Sequence, residues 1–374
     1  MEPDWIRSVV DADAFEHEQR CLSHVWTFLG LTVDVANDGD WLTASIATRS
    51  VFVQRFGGEL RGFENLCAHR FYPLRNGARG NGRLICEFHH WQYDSEGRAV
   101  AIPHARELFD AVPAELCARL NRVEIATCGT LIFGRFAAPG VDLSLEDFLG
   151  EGLPFLHAAS QIKARPQYLN RTVAANWRLC MHVTLDDYHV PAVHPTSMGR
   201  SAYVQRQNIT YKAFGLHSSL LSTARTGAFE RLLEGCRKGT YRPTHYVIFQ
   251  ITPNLTVLLI RVDFSFFYGV IVVYDALRHD RTNQRAWLFP APFVGPYQWL
   301  RKLTDPVRKP IVRRLAQRIL CEDNRVCERL QETARQMRSA PRLGRLEERI
   351  DWFENSYRQL IAEGEARMRS AEER

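Results

Sequence analysis

Apolar positions along the chain change period more than once. Between Ala14 and Leu29 they recur at helical spacing, with Phe15, Leu22, Val25 and Trp26 on one side, which predicts an amphipathic helix. From about Asp40 the pattern shortens to β-like runs. Val51–Phe56 and Glu59–Leu66 flank Gly57-Gly58, and glycine accepts the positive φ of a tight hairpin turn. Leu84–Cys86, Trp91–Tyr93, Arg98–Ile102 and Thr130–Phe136 predict further strands, with Asp94-Ser95-Glu96-Gly97 as a turn. Residues 40–140 therefore predict a small all-β domain, and Ala137–Pro154 a boundary after it. Beyond, Asn176–Val190 predicts a helix. Tyr246–Thr252, Thr256–Val262 and Tyr268–Tyr274 predict strands of an antiparallel sheet, and from Val307 onward the pattern is mostly helical.

The length of 374 residues fits two domains, or one large domain with an insertion. A composition of 45% hydrophobic and 24% charged residues is ordinary for a globular protein. Apolar runs such as Val270–Tyr274 are too short to span a bilayer. The acidic opening Met1-Glu2-Pro3-Asp4-Trp5 has no apolar run, so no signal peptide and a cytoplasmic location are expected. The net charge of +6 comes mostly from arginines, dense between Arg301 and Arg345. These form either a solvated helix face or a docking surface for an acidic electron-transfer partner. They lie on amphipathic helices rather than in a basic tail, which argues against nucleic-acid binding. Nine scattered cysteines argue against a disulfide framework.

Two of those cysteines stand apart. The chain reads Cys67-Ala68-His69-Arg70 and then Cys86-Glu87-Phe88-His89, each pair on a loop after an expected strand. A Rieske centre needs two thiolates on one iron and two imidazoles on the other, and these loops supply that set. A Cys₂His₂ zinc site is the nearest competitor, although zinc fingers usually open with Cys-x-x-Cys.

A second constellation lies further on. Asp186 and His189 are three residues apart, so on a helix they share a face and Asp186 reaches the outer nitrogen of that ring. Asp187, one residue on, points about 100° away and is not expected to substitute. His194 follows His189 by five residues, about 140° round a regular helix, so both rings meet one metal only if the helix breaks. Pro191 offers the break. Two histidines and one carboxylate form the facial triad of non-haem Fe(II) oxygenases. Asp323 lies within an apolar stripe of Ile319, Val326 and Leu330. Periodicity alone leaves it either a metal ligand or the partner of one of the many arginines.

With both constellations in view, the chain resembles the α-subunits of Rieske oxygenases, the ring-hydroxylating oxygenases, from its Trp5–Leu29 opening to about Gln331. The family pattern pairs Cys-x-His with Cys-x-x-His, and Trp91 matches the Trp that commonly follows. Phe71 and His90 stand where the pattern has Gly, and Glu87 where it has Pro. Asp186-Asp187-Tyr188-His189 with His194 resembles the family's mononuclear iron motif, and Glu322-Asp323 followed by Cys327-Glu328 its late carboxylate motif. His182 and Val183 stand where members often carry Glu-Asn; His182 faces the pocket or is a satisfied core histidine.

The resemblance implies one [2Fe–2S] cluster per chain on Cys67, His69, Cys86 and His89. It also implies one Fe(II) on His189, His194 and Asp323, with Asp186 as the acidic bridge between the two centres. It implies an α+β fold, an all-β Rieske domain inserted into a helix-grip (START-like) catalytic domain. Residues 1–39 are then the N-terminal helical part of the catalytic domain, 40–145 the Rieske domain and 146–374 the catalytic domain. On this resemblance electrons are expected from an NAD(P)H-dependent reductase, directly or through a ferredoxin. The resemblance further implies a head-to-tail homotrimer in which the cluster of one subunit serves the iron of its neighbour. The reaction expected from the resemblance is hydroxylation, dihydroxylation or oxidative demethylation of an organic small molecule with O₂. The alternatives are an electron-transfer protein with an inactive iron site and a zinc-stabilised ligand-binding module. Phe214, His217, Phe249 and Leu258 are the expected pocket residues.

Overall fold

The computed structural model describes residues 4–137, 140, 142–198, 206–261, 267–293, 298–337 and 339–372. They form two compact units, Ser23–Leu145 and Met1–Leu22 with Glu146–Arg374.

In the smaller unit, seven strands among the described residues form one sheet. In spatial order they are Thr27–Leu31, Leu131–Phe136, Arg122–Cys128, Glu59–Glu64, Arg49–Phe56, Asp40–Ile46 and Arg79–Asn81. The hairpin at Gly57-Gly58 forms as expected, with φ of 54° and 97° and Phe56 paired to Glu59. The helix expected over Ala14–Leu29 is two elements, a helix Ala12–Leu22 and a fully buried strand Thr27–Leu31. The run Val25–Phe28 is β-branched and aromatic, and pairing with Leu131–Phe136 overrides the helical spacing. Val51, Val53 and Ile132 pack on one side of this sheet. Phe52 and Phe63 face the other way and pack with Cys67, Cys86, Trp91 and Tyr93. That alternation puts the cysteine loops on an apolar floor. Leu84–Cys86 makes only an isolated bridge, Ile85 to Gln92, rather than a strand.

The larger unit is built on an antiparallel sheet. Its order is Gln167–Val173, Arg281–Pro290, Phe267–Arg278, Leu255–Arg261, Val247–Ile251, His217–Leu221 and Thr210–Phe214. The expected strand Thr256–Val262 runs Leu255–Arg261, its last residue lying outside the described residues. One face carries Tyr274 and Gln284, whose side chains meet Thr184 and Asn324 on the helices Trp177–Leu185 and Gln298–Thr333. Those helices bear or adjoin the expected iron ligands, so this is the ligand side of the sheet. The opposite face carries Phe249, stacked on Phe155 at 4.0 Å and packed with Phe214 and Phe229.

This separates the four expected pocket residues. Leu258 pairs with Ile248 and Val270 on the ligand side. Phe214, His217 and Phe249 are core residues of the far side, where His217 Nε2 bonds to Phe148 O at 2.7 Å. Strand residues alternate faces, and the sequence did not reveal the register.

Candidate metal centres

The cysteine loops share one backbone pattern. Cys67 N–H donates to Tyr72 O and Cys86 N–H to Trp91 O, each at 2.9 Å. Phe71 N–H then donates to Cys67 O, and His90 N–H to Cys86 O, also at 2.9 Å. Closing each loop this way requires φ of 57° at Phe71 and 58° at His90. These are the two positions where the family pattern has glycine, because left-handed backbone is disfavoured by a Cβ. His90 is exposed and takes no part in the donor set. His90→Gly is expected to keep the visible spectrum and raise stability by up to about 1 kcal/mol in thermal denaturation.

The four donors gather in two pairs. His69 Nδ1 and His89 Nδ1 are 3.1 Å apart, and Trp91 stacks on His69 at 4.8 Å. Cys67 and Cys86 are buried, and burial, with the Cys67 thiol beside it, pushes the Cys86 thiol up. Among the described residues, the group that brings three ligand atoms within 4.8 Å of one another is His189, His194 and Asp323, so these four do not converge on one point. Paired sulfurs and paired ring nitrogens fit a two-iron cluster and not a single zinc ion. The sequence reading missed Tyr93, whose Oη lies 3.0 Å from Cys67 Sγ and accepts from Ala68 N–H at 3.1 Å. Hydrogen bonds to cluster sulfurs tune reduction potential.

The second site is built by a helix that stops early. Asn176 caps the Trp177–Leu185 helix, its side chain accepting from Arg178 N–H at 2.9 Å. The helix expected to reach Val190 ends at Leu185. Asp186 is extended, and its Oδ1 accepts from Tyr188 N–H at 2.6 Å and His189 N–H at 3.2 Å, an Asx turn that replaces helix. The break therefore precedes His189. Pro191 does not break the helix but sits in the first turn of Val190–Val193, where a missing N–H costs nothing. His189 and His194 flank that short helix and their Nε2 atoms lie 3.3 Å apart.

Asp323 Oδ1 lies 2.8 Å from His194 Nε2 and 3.4 Å from His189 Nε2. These rings, not an arginine, are its partners. Although close to both nitrogens, this buried oxygen accepts no well-formed hydrogen bond from the described residues. All three donors aim at a common space. Burial opposes charge on the rings, yet Asp186 and Asp323 push His189 up to about 10, and Asp323 and Glu322 raise His194. Burial alone would raise Asp323, but the two rings hold it low. The space favours positive charge, which fits a divalent cation in place of protons.

Each ring's outer nitrogen faces a carboxylate. His189 Nδ1 lies 3.4 Å from Asp186 Oδ2, and His194 Nδ1 bonds to Glu322 Oε2 at 2.8 Å. Glu322 also accepts from Ser197 and Arg318. Its role was missed in the sequence, where its place beside Asp323 was the available signal. Asp187 points elsewhere and accepts from Tyr211 Oη at 2.6 Å. His182 is a satisfied core histidine, bonded to Glu354 at 2.7 Å.

Two family models match, a Rieske [2Fe-2S] domain over residues 25–114 and the catalytic domain of ring-hydroxylating α-subunits over residues 156–363. The chain belongs to the ring-hydroxylating α-subunit family. Such members carry a [2Fe–2S] cluster and a mononuclear iron, which the two donor sets suit. The large subunit of anthranilate 1,2-dioxygenase from Acinetobacter baylyi is 28% identical over 66% of this chain and 53% of its own length. Thus the match spans about half the length of that curated relative. A naphthalene 1,2-dioxygenase from Rhodococcus bound to indole has the same fold, with a TM-score of 0.75, 19% identity and coverage of 96% of this chain and 94% of the other. A quaternary ammonium Rieske monooxygenase in complex with an inhibitor superposes with a TM-score of 0.71, 15% identity and coverage of 95% and 94%.

Proposed function

We propose that this α-subunit is the oxygenase component of a Rieske system. It uses O₂ and electrons from an NAD(P)H-dependent reductase, directly or through a ferredoxin, to hydroxylate or oxidatively demethylate an organic small molecule. The observation that carries this reading is the convergence of His189 Nε2, His194 Nε2 and Asp323 Oδ1, a three-donor face that leaves positions for O₂ and substrate. An electron carrier without oxygenase chemistry has no use for it. In the names of its relatives, anthranilate, naphthalene and a quaternary ammonium compound all appear, so family membership leaves the substrate open.

When bound, the [2Fe–2S] cluster supplies electrons singly and the mononuclear iron activates O₂. Cys67 and Cys86 would hold one cluster iron, His69 and His89 the other, and His189, His194 and Asp323 the mononuclear iron. Glu322 holds the His194 ring by a hydrogen bond to its outer nitrogen, which fixes tautomer and orientation, and the Asp186 carboxylate faces the outer nitrogen of His189 at 3.4 Å. In a head-to-tail homotrimer, Asp186 would also accept from His89 of a neighbouring subunit and join the two centres. Among the described residues no helix is long and apolar enough to cross a membrane.

The test is composition and turnover together. Purified protein should be red-brown, hold about two irons and two acid-labile sulfides plus about one further iron per chain, and consume O₂ with substrate and a competent reductase. Cys86→Ala should abolish the visible spectrum. Colour that persists in this variant overturns the cluster assignment, and a colourless zinc-containing protein overturns the whole reading.

A further inference from the structure

Arg349, in the first turn of the helix Glu348–Glu372, has a fully buried side chain. Its Nε donates to Ser218 Oγ at 3.3 Å. Nη1 and Nη2 are buried and, among the described residues, meet no hydrogen-bond acceptor. The carboxylate facing it, Asp187 Oδ2, is 4.0 Å from Nη1, beyond hydrogen-bond reach, and already accepts from Tyr211. The Tyr211 ring lies 5.9 Å away, where cation–π attraction only partly compensates. Asp187 offsets part of the charge, but among the described residues no acceptor comes within hydrogen-bond reach of either terminal nitrogen, which is expensive for a buried guanidinium.

The position of Arg349 explains what does. Ser218 pairs with Gln250, Gln250 with Thr256, and Thr256 with Val272. Val272 shares a face with Tyr274, which contacts Thr184 of the helix leading to His189. Arg349 therefore abuts the ligand side of the sheet. Thr256 Oγ1, in the same row, is also buried with no hydrogen-bond partner among the described residues. Asp187 Oδ2, 4.0 Å from Arg349 Nη1, lies two residues before His189, so the guanidinium and the iron site share one neighbourhood.

We propose that Arg349 receives a carboxylate of the substrate, so that this oxygenase acts on an organic acid. A planar carboxylate matches the two free nitrogens in a bidentate pair. The carbon skeleton then extends toward His189, His194 and Asp323. The proposal rests on the oxygenase reading and names its substrate class.

Calorimetric titration of the anaerobic, reduced holoenzyme tests it. The probes are benzoate, phenylacetate and hexanoate, each against its neutral amide. At least one acid should bind about 30-fold or more tightly than its amide, because unpairing a buried charge is costly. Arg349→Gln should abolish that preference while keeping the Rieske spectrum and the mononuclear iron. Arg349→Lys should retain part of it, since the charge stays and the fork is lost. If Arg349→Gln does not hold iron, the wild-type ratio and the Arg349→Lys variant decide. Acids that bind no better than amides, or a preference that survives Arg349→Gln, overturn the proposal. Failure of the oxygenase reading is a different result: wild-type protein without the third iron, or without O₂ consumption.

Discussion

Asp323→Ala protein should purify with its Rieske spectrum intact and its mononuclear iron missing, and substrate-dependent O₂ consumption should fall to background. The reason is the donor count. Two neutral imidazoles 3.3 Å apart at Nε2 hold a divalent metal weakly once the only anionic donor is gone. Glu322→Ala supplies the scale. It frees the outer nitrogen of His194, and loss of such a partner lowers metal affinity about 10–100-fold without removing a donor. Iron analysis and visible spectra on the same preparations separate the two effects. Full activity in Asp323→Ala would return that residue to a structural role on its helix.

Asp186→Asn should keep both metal centres and the oligomer, while its pre-reduced cluster fails to reoxidise when substrate and O₂ are added. The single-turnover rate should fall by about 100-fold or more, at or beyond the upper end for outer-shell partners. The substitution is selective. Asparagine retains the Oδ1 that accepts from Tyr188 N–H and His189 N–H, so the Asx turn that sets the loop survives. What disappears is the carboxylate charge 3.4 Å from His189 Nδ1. A residue that merely braces the loop would tolerate the change. Rapid reoxidation in Asp186→Asn would therefore leave only bracing. Asp187→Asn, the neutral comparison that helical geometry suggests, is not neutral: Asp187 accepts from Tyr211 and faces Arg349, so its loss disturbs a buried group of its own.

Short-range chemistry was legible along the chain. Cys67, His69, Cys86 and His89 declare themselves because donor type and loop spacing are local properties. The Gly57-Gly58 turn does so because its φ values are a local requirement. His189 and His194 were readable for the same reason, although the geometry that joins them was not. Pro191 looked like the breaker, whereas the Asp186 side chain ends the helix by accepting two backbone N–H groups. Periodicity could not choose between arginine and iron for Asp323, because that choice depends on which surface its helix buries, and the helix packs against residues far away in sequence. The strand Thr27–Leu31 was hidden by helical spacing until its pairing with Leu131–Phe136 fixed it. The pocket was the least legible part. Phe249 and Leu258 look alike as apolar strand residues, but a one-residue change of parity sends one to the far core and the other to the ligand side. Arg349 carried no sequence signal among its many arginine neighbours. Only the packing of its helix against Ser218 strips it of water and leaves its two terminal nitrogens without hydrogen-bond acceptors among the described residues.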